Sequence, residues 1–239
     1  MKQKKRNKPF YKQFLKLRQN IQNRPKIFKF KKQKWNSFQQ FSKKSLKFYK
    51  RFKVKDQTQL VISKFASKGN SFKKTYKNNL RKRKIFSLFY GGLKKKCIKN
   101  NLRRLLNSNK NIDLRLKTLQ LFESRLDTVL YRAGFSLSIK GAGQLILHGH
   151  VLVNNQIVKT KSYLLKKNDL IEIGLNEKSR ELVKKNLDRF NFWPIPPKHL
   201  LVNFKTLQIL FLYSNNDTTL PIFNHYIDFN SMISSIRQY

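Results

Sequence analysis

Residues Ser124–Gly174 read SRLDTVLYRAGFSLSIKGAGQLILHGHVLVNNQIVKTKSYLLKKNDLIEIG. Leu126, Val129, Leu130 and Ala133 share one face at i, i+3, i+4 and i+7, the period of an amphipathic helix. Ser124 is the expected cap of that helix, with Asp127 three residues on as in a capping box, and Gly134 the expected stop. Ser138 is the expected cap of a second helix, which carries Ile139, Ala142, Leu145 and Ile146 inward and ends at Gly149. The period then changes to two. Val151 and Val153 alternate as in a strand, Asn154-Asn155 suits a tight turn because Asn tolerates positive φ, and Gln156 to Val158 returns. Ser162–Leu165, a turn at residues 166–169, and Leu170–Ile173 supply further strand. The stretch therefore predicts two helices packed on a small, bent sheet.

The sequence around it is far more basic. Of 239 residues, 54 are Lys or Arg and 11 are Asp or Glu, a formal charge of +43. Self-repulsion on that scale opposes a compact state, so the chain needs a large anionic partner, nucleic acid or an anionic membrane surface. Residues 1–112 hold 37 of the 54 cations and a single acid, Asp56. That half reads as a polycation ordered by a polyanion, whereas residues 113–239 resemble an ordinary basic domain. No apolar run approaches membrane-spanning length; the longest, Leu207–Tyr213, is interrupted by Gln208. No apolar signal core follows the first eight residues. Cys97 is the only cysteine, which excludes an internal disulfide and a multi-cysteine zinc site, and suits a small buried thiol better than a nucleophile. Heavy use of Lys, Asn, Phe and Ile, with little Ala, points to an A+T-rich gene of the kind common in organelles.

Residues 71–112 carry Arg81, Lys82, Arg83 and Lys84, then an apolar run from Ile85 to Tyr90, then Lys94–Lys96 and Arg103-Arg104. Helices broken near Gly91-Gly92 are expected. Charge runs are usually solvated faces, but runs with almost no acidic counterweight favour phosphate. Residues 1–70 alternate cations with rings. Phe10, Phe14, Leu17 and Ile21 fall at helical spacing, as do Phe38, Phe41, Phe48 and Phe52. Rings at that spacing are more often a packed stripe than a base-stacking platform. After Gly174, Leu182, Val183, Leu187 and Phe190 predict one more helix. Trp193-Pro194-Ile195-Pro196-Pro197 then forbids regular structure and starts an extended tail. Leu207–Tyr213 and residues 227–236 read as short strands or helical ends.

The order SRLD, YRAGF, a capped helix containing A-x-Q-L, HGHVLVN, SYLL and NDLIEI resembles the S-four RNA-binding domain over about fifty residues. The flanks resemble one family that carries it, the small-subunit ribosomal protein S-four family. KIFSLFYGGLKKKC, PPKHLLVNFKTL and the end of the chain around Leu220-Pro221 and Ile227 to Ile233 are similar to its segments. The resemblance implies a non-enzymatic constituent of the small ribosomal subunit. It would bind the 5′ domain of the ribosomal RNA at a multi-helix junction, help assembly, and lie near the mRNA entry path. Its partners would be that RNA, neighbouring small-subunit proteins and mRNA at the entry channel. No cofactor, metal or membrane insertion is implied. The organelle expected is the mitochondrion, with the plastid as alternative.

The residues expected to contact RNA are Arg81, Lys82, Arg83, Lys84, Arg103, Arg104, Arg125, Arg132, Ser138, Lys140, Gln144, His148, His150, Asn154, Lys159 and Lys161. Cations meet phosphate, and Ser, Asn, Gln and His reach ribose and base edges. Several have bland alternatives. Arg125 can instead pair with Asp127, the histidines can be structural hydrogen-bonders, Gln144 can serve the domain's own backbone, and Asn154 can be only a turn former. The sequence also departs from the family. The usual S-R-x-x-A-R-Q reads Ser138 to Gln144 here with Ile139 and Gly143 in place of both arginines. Lys140 is one position and about 100° away around a helix. Gly141 and Gly143 each weaken the helix by roughly 1 kcal/mol relative to Ala.

The expected architecture is α+β: a basic, aromatic-rich extension (1–70), a basic helical region (71–122), the two-helix S-four domain with its small bent sheet (123–175), and a C-terminal helix and extended tail (176–239). Two other function classes stay open. A uridine-isomerising enzyme would need a separate catalytic domain, for which the flanks offer no glycine-rich nucleotide loop and no paired acids. A free-standing RNA-binding factor acting on stalled ribosomes or tRNA differs only by the C-terminal signature.

Overall fold

A computed structural model describes residues 10–21, 27, 29–41, 72–108, 114–174, 176–188 and 196–212. Phe48, Phe52, Phe190, the Trp193–Ile195 run and the C-terminal signature beyond residue 212 lie outside the described residues. The chain forms two compact units, Met1–Phe89 and Tyr90–Tyr239.

In the first unit, helix α1 (Phe10–Leu17) ends where Arg18 takes a positive φ of 51°. Phe14, Leu17 and Ile21 are buried, as their spacing predicts. A second helix, α2 (33–41), buries Trp35 and Phe38. Trp35 lies 4.9 Å from Phe30 and 6.0 Å from Tyr11 between ring centroids, in tilted geometries that favour aromatic pairs. The rings of this basic segment therefore pack on one another. Phe41 stays exposed, with the Arg18 guanidinium 5.4 Å from its centroid. Helix α3 (Phe72–Phe89) carries the Arg81–Lys84 run and closes this unit.

In the second unit, Gly91 and Gly92 break the helical path with φ of 75° and 87°, and α4 (Lys95–Ser108) follows. A Cβ on Gly91 would sit 2.8 Å from Ile139 Cγ2, so a side chain is barred by space as well as by φ. Helices α5 (Leu114–Glu123), α6 (Leu126–Arg132) and α7 (Ile139–Leu147) come next. Strands β1 (Val151–Val153), β2 (Gln156–Ile157) and β3 (Leu170–Ile173) precede α8 (Glu177–Asp188). The last strands are β4 (Leu200–Asn203) and β5 (Gln208–Phe211). Every pairing is antiparallel, in the order β2-β1-β3-β5-β4. The core is continuous from helix to sheet: Leu126, Leu130, Ala142 and Ile146 meet Val151, Ile171, Ile209 and Phe211.

Three expectations are corrected. Ser124 does not cap α6. Its hydroxyl donates to the Leu121 carbonyl at 3.2 Å, and Arg125 occupies the cap position, its side chain capping none of the helix's own N–H groups. Residues 162–165 add no sheet strand. They run beside the start of α6, held by the Leu126 N–H on Tyr163 O (2.9 Å) and the Leu165 N–H on Ser124 O (2.9 Å). Residues 200–211 are not an extended tail, and of the two readings of Leu207–Tyr213 the short strand holds, as β5. They form a hairpin whose inner strand pairs with β3, Ile171 opposite Ile209, and so widen the sheet to five strands.

Candidate nucleic-acid interface

Local chemistry sets α7 in place. Ser138 Oγ accepts the Gly141 N–H at 3.1 Å, satisfying one of the unpaired donors of the first turn. Gly149 leaves the helix at a φ of 76° and turns the chain into β1. Asn154 and Asn155 take φ of 48° and 66°, the doubly positive turn that suits a two-residue hairpin. The outward side of α7 is then fixed: Lys140, Gln144 and His148 are exposed, while Ile139, Ala142, Leu145 and Ile146 are buried.

The second flank of α7 comes from the chain after β2. A Cβ on Gly143 would lie 3.6 Å from Lys161 Cδ, and one on Gly149 3.6 Å from Lys159 Cε. The stems of both lysines thus lie across the glycines, and both side chains are exposed. Position 143 carries no arginine, yet a lysine stem covers it.

On its other side α7 faces α8 across a groove of about 510 Å³. Ser138, Gln144, His148 and His150 line it, together with Leu137, Leu182, Lys185 and Asn186. His150 is oriented by a 2.9 Å hydrogen bond between its Nδ1 and Ser179 Oγ. The His148 and His150 rings are 5.8 Å apart. Lys185 pairs with Glu181 at 3.3 Å, but both are largely exposed, so the pair contributes little and leaves the ammonium available.

Three expected contacts face elsewhere. Arg125 is buried and makes a bidentate pair with Asp127, Nε to Oδ1 at 3.0 Å and Nη2 to Oδ2 at 2.7 Å. Arg132 is buried against Glu123, with Nε on Oε2 and Nη2 on Oε1, both at 3.0 Å. The Tyr90 hydroxyl also donates to Glu123 Oε1, at 3.0 Å. These guanidiniums are internal struts. Both are expected from the sequence to meet RNA, with Asp127 as the alternative partner of Arg125, but a buried carboxylate within reach claims an arginine fork before solvent does. Burial pushes the Glu123 carboxyl up, but the Arg132 charge and hydrogen bonds, with the Tyr90 O–H, outweigh it and hold that carboxyl below its ordinary range. Burial first, and the Glu123 charge second, raise the Tyr90 phenol well above its ordinary value. Asn154 is exposed, yet its amide is committed: Nδ2 donates to Asp169 Oδ1 at 3.0 Å and Oδ1 accepts the Leu170 N–H at 2.9 Å. It ties the hairpin turn to β3.

The remaining expected cations are distributed. Arg103 and Arg104 are exposed on α4. In the first unit Lys84 is exposed, Lys82 and Arg83 are half-buried, and Arg81 donates from Nη2 to the Leu17 carbonyl at 2.8 Å. Leu137, Lys185 and Asn186 are additions to the expected set. Leu182 belongs to the apolar residues that predict α8, yet it is 47% exposed and shares an i, i+3, i+4 face with Lys185 and Asn186. Among the described residues no group of three or more His, Cys, Asp or Glu could hold a metal ion. No helix among them is long and apolar enough to cross a membrane.

A serine cap, a lysine-covered flank and a polar groove converge on α7. Residues 124–171 match the S4 domain. The matched range covers α6, α7, β1, β2 and the start of β3. Comparison with curated proteins extends the likeness. The small ribosomal subunit protein uS4 of Aquifex aeolicus (strain VF5) is 40% identical over 123 residues, covering 51% of this chain and 56% of that protein. The small ribosomal subunit protein uS4c of Psilotum nudum is 45% identical over 86 residues, 36% of this chain and 43% of the relative. That of Mesostigma viride is 46% identical over 89 residues, 37% and 43%. The chain spans about half the length of the curated relatives it matches.

Proposed function

We propose that this protein is a small-subunit ribosomal protein of the uS4 type that binds ribosomal RNA and has no catalytic role. One observation carries the reading. The S4 domain presents Lys140, Gln144, His148, Lys159 and Lys161 outward around α7, on a chain with a formal charge of +43. The names of its relatives, small ribosomal subunit proteins, support the same class. The charge and the outward cations suit the phosphate backbone, whose neutralisation releases counterions. Within this reading the RNA is the 5′ domain of the small-subunit RNA at a multi-helix junction, near the mRNA entry path. Neighbouring small-subunit proteins are further partners.

The ribosome proposed is an organellar one. Codon-driven composition points to an organelle, of which the mitochondrion is the expected one; the uS4c relatives weigh toward the plastid alternative. Separating the two organelles and probing each for the protein distinguishes them. Sedimentation of a native lysate tests the function itself. The protein is expected to travel with the small subunit and to stay there after a moderate salt wash. Recovery at native abundance in the soluble fraction overturns the reading and favours a free-standing RNA-binding factor.

A further inference from the structure

The groove between α7 and α8 has a composition that phosphate binding does not explain. Only one of its lining residues, Lys185, is a Lys or Arg, and none is a carboxylate. Leu137 and Leu182, 44% and 47% exposed, supply apolar surface on its walls. Polar atoms of both kinds accompany them. Ser138 Oγ accepts from Gly141, which leaves its O–H to donate. Gln144 offers an acceptor and two donors. His150, fixed through Nδ1, keeps Nε2. Asn186 donates from Nδ2 to the Phe135 carbonyl at 3.2 Å and keeps its oxygen.

The geometry points to a pocket for one unstacked nucleotide of single-stranded RNA, its base between Leu137 and Leu182 and its edge on Ser138, Gln144 and His150. This rests on the RNA-binding reading and specifies it. The volume falls in the roughly 300–1,000 Å³ range of small-ligand clefts, with apolar walls and a few convergent polar groups. A base needs an apolar slot for its faces and mixed donors and acceptors for its edge, and single-stranded RNA is the form in which bases are splayed out to be read. The exposed His148 imidazole offers a further stacking face, and Lys185 meets the phosphate that follows. An acidic peptide would call for several cations, and the groove has one. A metal or cationic ligand would call for carboxylates, and it has none. A duplex presents no free base to enter.

The full chain has four histidines, so selective labelling of their imidazoles yields four resolvable signals. The probe is an oligoribonucleotide about 12 nucleotides long with alternating adenosine and cytidine, which cannot pair with itself. The control has the same length and charge but abasic riboses. The base-bearing probe is expected to shift the His148 and His150 signals, and the abasic probe to leave them in place. Leu182→Gln, at a position 47% exposed, removes the apolar wall without adding charge and is expected to weaken the base-bearing probe at least about fivefold and the abasic probe far less. If the base-bearing probe binds but His148 and His150 do not move, or if both probes move them equally, the pocket is wrong while RNA binding stands. If neither probe binds, the RNA-binding reading fails with it.

Discussion

Removing the Glu123 carboxylate separates the two roles open to Arg132. Glu123 accepts three hydrogen bonds of 3.0 Å, two from Arg132 and one from Tyr90. The Arg132 side chain is 3% exposed and the Glu123 side chain 7%. Breaking such a pair from one side strands a charge away from water and costs about 3–5 kcal/mol. Domains are held by only about 5–15 kcal/mol. For a unit the size of Tyr90–Tyr239, each kcal/mol moves the melting midpoint by about 2–4 °C, so Glu123→Ala is expected to lower it by about 6–20 °C. The double variant Glu123→Leu/Arg132→Met removes both charges and fills similar volume, and most of the loss should return. Thermal unfolding of the full chain followed by circular dichroism reads both. A third variant, Arg132→Met alone, answers the functional question. Well below its melting midpoint, Arg132→Met should bind RNA with an unchanged salt dependence, because an internal strut neutralises no phosphate. A Glu123→Ala midpoint within about 2 °C of the parent refutes the strut. So does an Arg132→Met salt slope reduced by about 1, the signature of one lost phosphate contact.

Other expectations come from single sites. Ser138→Ala deletes the acceptor of the Gly141 N–H and should cost about 1 kcal/mol, read as faster hydrogen exchange at the first turn of α7. Two glycines should respond with opposite sign. Gly143→Ala places a Cβ in ordinary contact with Lys161 and should stabilise α7 by up to about 1 kcal/mol, whereas Gly91→Ala drives a Cβ into Ile139 at a φ of 75° and should destabilise in a denaturant titration. Acid should weaken the second unit in two steps. Burial lowers the His199 pKa from 6.5, with Arg132 adding to the shift against the opposing Glu123, so the stability tied to its neutral form is complete above about 6.5 and declines as pH falls through the lowered value. Glu123, held below 4.5, adds a loss that begins only below that value. Melting midpoints should therefore fall from neutral pH towards pH 4, and less steeply in a His199→Gln variant; a flat profile contradicts the assignment.

Much of the second unit was legible because its signals are local. The i, i+3, i+4 faces of α6 and α7, the Ser138 cap, the glycine stops and the Asn154-Asn155 turn each depend on a few neighbouring residues, and the structure has them all. The β4–β5 hairpin was not legible as part of the sheet. LLVN and QILF alternate weakly, and the decision rests on β3 offering β5 an edge about forty residues earlier in the chain. Cap choice failed at Ser124 because the end of α5 and the start of α6 compete for one hydroxyl, and the Leu121 carbonyl wins. The Arg125–Asp127 pair was one of the alternatives open in the sequence, but the direction of Arg132 failed for the same long-range reason. Helical spacing says which face a residue shares, but Glu123 lies on a different helix and its burial is decided by packing. The groove was half visible. Ser138, Gln144, His148 and His150 were singled out one by one, yet only the placement of α8 makes them one surface.

The most direct test is ultraviolet crosslinking of native small subunits, followed by mass spectrometry of nucleotide-bearing peptides from this chain. The account predicts adducts on the outward face of α7 and its lysine flank, at Lys140, Gln144, His148, Lys159 or Lys161, and none on Arg125 or Arg132. Adducts concentrated on the two buried arginines, with α7 unmodified, would contradict it.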